Sequence, residues 1–253
     1  MPDQNEPSEF YVQYLAVPKG QRRFLRVVVP CVLWALAIVA GVLAFSQGDP
    51  GSAVWEDGKA REFHGTIRAL PYPMLLTADR GDGKPGLIML VEVGKKGGGQ
   101  RAAAFDGQAV TISGWPLHRD GRLLLEMEPG EGAITPNAGV APTPSATPET
   151  LGRVTLRGEI VDSKCYLGAM KPGEGKTHKE CATLCVSGGI PPMLVTRTST
   201  GAVTFYLLLS PDGGPLDPTC FPLIGEPIEA TGELERRGDM LVLRVHHADL
   251  RRL

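Results

Sequence analysis

The chain has 253 residues and a formal net charge of −2, with 26 Lys and Arg against 28 Asp and Glu. That near balance excludes a polybasic nucleic-acid surface, and the length allows one or two domains. Aromatic residues make up 6% and charged residues 21%, and 32 Gly with 22 Pro favour short strands and turns over long helices.

Residues 1–26 read as a cytoplasmic tail. In "EFYVQYLAVPKGQRR", Phe10, Tyr11 and Tyr14 followed by basic residues suit a membrane interface. The alternative is a short docking segment for a neighbouring membrane protein. "VVVPCVLWALAIVAGVLAF", Val27–Phe45, carries no charge. At helical rise it spans ~28 Å, close to a hydrocarbon core of roughly 30 Å. Pro30 is expected in the first turn of this helix, where its missing N–H matters least, and Cys31 as a packing residue. Lys19, Arg22, Arg23 and Arg26 precede the run, and "SQGDPGS" after it has no positive charge. The positive-inside rule then predicts a single-pass anchor over 27–46 in a bacterial inner membrane. The N-terminus is cytoplasmic and the rest periplasmic or otherwise extracytoplasmic. Cleavage after "AFS" at Ala44–Ser46 is the competing reading, which the length of the apolar run disfavours.

After a juxtamembrane linker at 47–59 the chain repeats itself. "HGTIRAL" from His64 matches "RGEIVDS" from Arg157. "YPMLLTADRGDGKPGLIML" from Tyr72 matches "PPMLVTRTSTGAVTFYLLL" from Pro191. "GQAVTISGWPLHRDGRLLL" from Gly107 matches "GEPIEATGELERRGDMLVL" from Gly225. The shared skeleton is five short strands, with glycines at the turns and aliphatic and β-branched runs between them. Each copy therefore predicts a small, mainly β barrel, one at 60–128 and one at 153–253. In strand count and in the loop between strands three and four it resembles the OB-fold; a small sandwich is the rival. Pro129–Gly152, rich in Pro, Ala and Thr, reads as a semi-rigid linker.

The second copy carries an insertion over 164–189, "KCYLGAMKPGEGKTHKECATLCVSGG". Thr177 and Glu180 form a capping box for a short helix from about His178 to Val186, stopped by "SGG". On it His178, Cys181 and Cys185 share one face, and Cys165 stands where strand one ends. Three chemistries remain open, beside the plain alternative of buried free thiols acting as small apolar groups. Outside the cytoplasm, Cys165, Cys181, Cys185 and Cys220 suit structural disulfides; tying Cys165 to the helix closes a loop worth roughly 3 kcal/mol. Cys165, His178, Cys181 and Cys185 also form a set for zinc, and with Met170 for copper(I). Haem is a further possibility, although no C-x-x-C-H is present. Thiol redox chemistry needs a lowered cysteine pKa, and no C-x-x-C is found. Glu159 and Asp162 are placed to orient a ligand. His246 and His247, adjacent in a strand, face opposite ways and read as surface residues. His64 and His118 lie in the first copy with no partner histidine or cysteine nearby.

The layout, a membrane anchor followed by OB-type barrels, resembles the periplasmic haem chaperone family of cytochrome c maturation. That family has one barrel and a His-x-x-x-Tyr haem motif, which this chain lacks, so the resemblance implies architecture only. The cysteine segment is similar to that of bacterial membrane-anchored proteins of no assigned activity. The leading expectation is a non-enzymatic accessory or binding module of the cell envelope, serving a membrane-protein complex. Its contact site is the insertion, through Tyr166, Lys171, Lys176 and Lys179. A metal- or haem-handling protein is the first alternative and a thiol redox protein the second.

Overall fold

The computed structural model describes residues 17–46, 52–80, 83, 85–145 and 147–253. The aromatic part of the tail lies outside these residues. The chain forms two compact units, Met1–Asp49 and Pro50–Leu253.

In the first unit, α1 runs over Lys19–Ser46 and buries no side chain. Trp34 is 71% exposed and Phe45 95%, so apolar groups face outward all round. A helix apolar all round is one that is covered by lipid or by protein, and α1 is long and apolar enough to cross a membrane. Lys19, Arg22, Arg23 and Arg26 are part of the helix, not a prelude to it. Pro30 therefore sits well inside α1, where it removes one N–H from the ladder.

In the second unit, the first barrel is built from β2 (Arg61–Arg68), β3 (Met74–Thr77), β4 (Gly86–Glu92), β6 (Ala109–Arg119) and β7 (Arg122–Met127). Short strands β1 (Val54–Trp55), β5 (Lys96–Gly97) and β8 (Ile134–Pro136) flank it, and α2 (Gly99–Ala103) precedes β6. The second barrel uses β9 (Glu149–Asp162), β10 (Pro192–Arg197), β11 (Val203–Leu209), β12 (Pro227–Arg237) and β13 (Met240–Arg252). Both close in the same order. Strands one, two and three pair antiparallel, three pairs five in parallel, and four lies between five and one. The two OB-like barrels of the repeat are thus present, each closed by one parallel pair. The first extends beyond 60–128 at both ends, because β1 and β8 both add to β6.

The paired glycines of the repeat do the same work twice. A Cβ on Gly65 would overlap the Leu76 carbonyl, and one on Gly158 would overlap the Val195 carbonyl. Neighbouring strands close the barrel only at that spacing. Gly158→Ala is therefore expected to destabilise the chain by roughly 1–3 kcal/mol, as over-packing against backbone does. Gly132→Ala, with open space around it, serves as the neutral control. The check is the urea midpoint; equal midpoints for the two variants would refute the close approach.

Three apolar cores follow from strand alternation. One fills the first barrel with Ile67, Leu75, Ile88, Leu90, Ile112 and Leu125. Another fills the second with Ile160, Leu194, Leu208, Ile228 and Leu243. The third joins the barrels: Met74, Met89, Val91 and Leu124 from the first meet Val161, Met193, Leu207 and Val242 from the second. This is why "LIMLV" in β4 and "MLV" in β10 are apolar without alternation: both faces are covered.

Candidate functional site

The insertion lies against this third core. After β9, the chain makes a π-type turn over Cys165–Ala169, then enters α3 (Lys179–Ser187). Cys165, Tyr166, Leu167, Cys185 and Ile190 are buried in the shared core. The predicted capping box is not formed: His178 is the residue before the first turn, with no side-chain cap. Its imidazole turns inward instead and is buried.

Two strand-end residues and one helix face bring the polar groups together. Donor atoms of Cys165, His178 and Cys181 lie within 4.8 Å of one another, as do those of Asp162, Cys165 and Cys185. Asp162 is fully buried. Its Oδ2 lies 3.1 Å from His178 Nε2, and its Oδ1 accepts from the Cys165 backbone N–H at 2.8 Å. One carboxylate thus orients the ring and the turn that carries the first thiol. From the first barrel, Lys95 on the turn between β4 and β5 places Nζ 2.7 Å from Cys181 Sγ and 3.6 Å from Cys185 Sγ.

This arrangement splits the thiols. The Cys165 thiol is pushed well up because it donates a hydrogen bond to the Cys185 sulfur, and burial and the Asp162 charge push the same way. The Cys185 thiol is brought down to about 7 by that bond from Cys165, against burial and with help from Lys95. Lys95 is raised, chiefly by its bond to Cys181. Negative charge is therefore favoured on the Cys185 sulfur, 3.6 Å from the Lys95 ammonium of the other barrel.

A supporting layer clamps the barrels beneath the cluster. Lys164, buried, pairs with buried Glu126 of β7 and donates to the carbonyls of Glu92 at 2.9 Å and Gly94 at 2.8 Å. The Arg119 guanidinium stacks 4.0 Å from the centre of the Tyr166 ring and donates to the carbonyls of Tyr166 and Pro172. Arg197 donates to the Tyr166 hydroxyl at 3.0 Å. "SGG" does more than end α3. The Gly97 N–H donates to the Gly188 carbonyl at 2.8 Å, and a Cβ on Gly188 would overlap the Lys95 carbonyl.

The structure places the expected residues unevenly. Of the four residues read as a metal set, Cys165, His178 and Cys181 converge in one group, while Cys185 falls in a second group with Cys165 and Asp162. The disulfides do not appear: all five cysteines are free thiols. Cys220 belongs to the interior core of the second barrel, whereas Cys165 and Cys185 belong to the core between barrels. Burial pushes the Cys220 thiol up to about 11. The insertion is held by apolar packing and ion pairs, not by a covalent tie. Tyr166, expected at a contact surface, is fully buried and cannot meet an outside partner. Lys179 and Lys176 pair with Glu226 at 2.8 and 3.7 Å, fixing the insertion to its own barrel; Lys171 is exposed. His246 and His247 are exposed, as expected. His64 meets Thr111 Oγ1 at 2.8 Å and His118 meets Glu56 at 3.3 Å, neither of them a histidine or cysteine.

Lys95, Lys164, Glu126 and Arg119 were missed. For two of them a signal exists: Glu126 in "LLLEM" and Arg119 after "WPLH" interrupt apolar strands, as buried paired charges do. Comparison with protein-family models, curated proteins and solved structures returned no match.

Proposed function

We propose that this chain is a membrane-anchored protein of the bacterial cell envelope. Its tandem barrels hold a soft metal ion, zinc or copper(I), through Cys165, His178 and Cys181, with Cys185 as fourth donor. The observation that carries the reading is the convergence of the three donor atoms within 4.8 Å in the one segment that the first barrel lacks. A tetrahedral zinc site places sulfurs about 3.8 Å apart, given Zn–S near 2.3 Å, so the three converging donors need a modest contraction, and Cys185, which meets Cys165, must turn toward them to complete the set. Asp162 beside His178 supplies the carboxylate that metal-binding imidazoles use for orientation. So compact a donor set suits a bare ion better than haem. The basic residues at the start of α1 support an N-in orientation, with the barrels outside the cytoplasm. The role is non-enzymatic: storing or passing the ion, or locking the two barrels together, for a membrane complex.

The test is the full chain purified in detergent without reductant or chelator, with metal content and thiol count measured together. One equivalent of zinc or copper is expected. Metal-free protein with five titratable thiols would sink the reading. A Cys165–Cys185 disulfide in place of metal would instead favour thiol redox chemistry, the second reading, which rests on the closeness of those two free thiols.

Lys95 gives a further expectation. Its ammonium lies against the sulfurs, so an incoming cation must displace it. Two like charges about 5 Å apart repel by several tenths to a few kcal/mol, depending on solvent exposure. Lys95→Ala is thus expected to tighten metal binding about tenfold in competition with a chromophoric chelator. Weaker binding would show that Lys95 assists the thiolates more than it competes with the ion.

A further inference from the structure

A second cavity, away from the thiols, has its own chemistry. It measures ≈ 360 Å³ and opens between β3 and β4 of the first barrel and β11 and β13 of the second, with Thr143–Ser145 and Pro148 of the inter-barrel segment along one side. Such a volume falls at the lower end of the ~300–1,000 Å³ of small-molecule pockets. Its walls are aliphatic: Leu76, Leu87, Leu207, Met240 and Val242 face it. At its rim Leu70 is 85% exposed, an apolar side chain left in water beside an apolar space.

The charges around it are unequal. Asp239 is answered by Arg80 at 2.9 Å, Arg122 at 3.1 Å and the Leu87 N–H at 2.9 Å. Arg237 is bonded to Glu235 at 3.0 Å. Arg68 differs. Its Nε donates to Ser145 Oγ at 2.6 Å, and among the described residues no carboxylate pairs with it. A half-buried guanidinium beside an aliphatic wall is suited to one planar anion, which it binds through paired N–H donors. The segment that roofs the cavity is held in place by the same contact and by the Thr143 N–H donating to Thr66 Oγ1 at 2.7 Å.

We propose that this cavity binds a single-chain anionic amphiphile, a long-chain carboxylate, with its tail between Leu76, Leu87, Leu207 and Val242 and its head on Arg68. The volume favours one acyl chain over two, and the unpaired arginine favours an acid over a neutral lipid. The chain also carries a helix fit to cross a membrane, where such molecules reside. The proposal is independent of the metal reading.

The experiment uses the full chain in lipid nanodiscs with a diazirine-bearing palmitic acid, its methyl ester and a diazirine-bearing diacyl phospholipid. Cross-linked peptides are mapped by mass spectrometry. The acid is expected to label residues 70–77 and 237–242. Leu76→Trp and Leu87→Trp, each filling the cavity from a half-buried position, should each cut that labelling at least fivefold while labelling of α1 stays constant. Arg68→Gln should bring the acid down to the level of the ester. Labelling confined to α1, or labelling of the barrels untouched by both tryptophans, overturns the proposal. Equal labelling by acid and ester overturns the assigned head group. Preference for the phospholipid overturns the single-chain assignment.

Discussion

Cys165→Ser is expected to lower metal affinity at least a hundredfold, about 2.7 kcal/mol of binding free energy. Cys165 is the one residue common to both donor groups, with His178 and Cys181 on one side and Asp162 and Cys185 on the other. A serine hydroxyl at that point is a hard donor that stays protonated at neutral pH, so it cannot replace a thiolate toward a soft ion. The fold should survive, because the change removes little volume and Asp162 still caps the backbone at residue 165. Cys220→Ser is the matched control. It buries a hydroxyl in the interior of the second barrel, which costs roughly 1–3 kcal/mol of stability if unpaired, yet it should leave metal stoichiometry unchanged. Cobalt(II) titration reads both through the thiolate charge-transfer band. A Cys165→Ser protein with wild-type affinity, or loss of metal in Cys220→Ser with the fold intact, would move the site elsewhere.

Lys164→Met is expected to cost about 3–5 kcal/mol of stability, the usual penalty for leaving a buried charge without its partner. Glu126 and Lys164 are both nearly inaccessible, at 3% and 5% exposure, and they belong to different barrels. Removing the ammonium strands the Glu126 carboxylate and also frees the carbonyls of Glu92 and Gly94. For a unit of about 200 residues this corresponds to a fall of roughly 6–20 °C in melting temperature. The double variant Lys164→Met/Glu126→Leu should regain most of the loss, since no charge is then left buried. Circular dichroism melts of the four proteins in the cycle give the coupling. A single variant within 1 kcal/mol of wild type would show that water reaches Glu126.

These two positions also mark where sequence reasoning stopped. The cysteines were visible because their residue types and helical spacing are local. Cys181 and Cys185 had to share a face once α3 formed, His178 stands just before its first turn, and Cys165 follows the end of β9. Lys95 was not visible, because nothing in "VGKKGGGQ" states which surface that turn meets. Disulfides were expected from cysteine count and compartment; Cys220 packs inside a barrel, apart from the others, while Cys165, Cys181 and Cys185 lie near one another as free thiols. Tyr166 looked like a contact residue because a loop rich in Gly and Lys usually lies in solvent. It is buried because the first barrel covers it.

The sequence by itself determined the long apolar N-terminal helix, the duplicated set of five strands, the paired glycines and the place of the insertion. Each is encoded in local apolar period, charge gaps and repeated spacing. Only the tertiary structure decided that each barrel closes through a parallel pair and that a third core joins the barrels. It alone placed Lys95, Lys164 and Glu126 at one cluster. Strand alternation shows that a face is buried but not which surface buries it; that choice belongs to contacts between segments far apart in the chain.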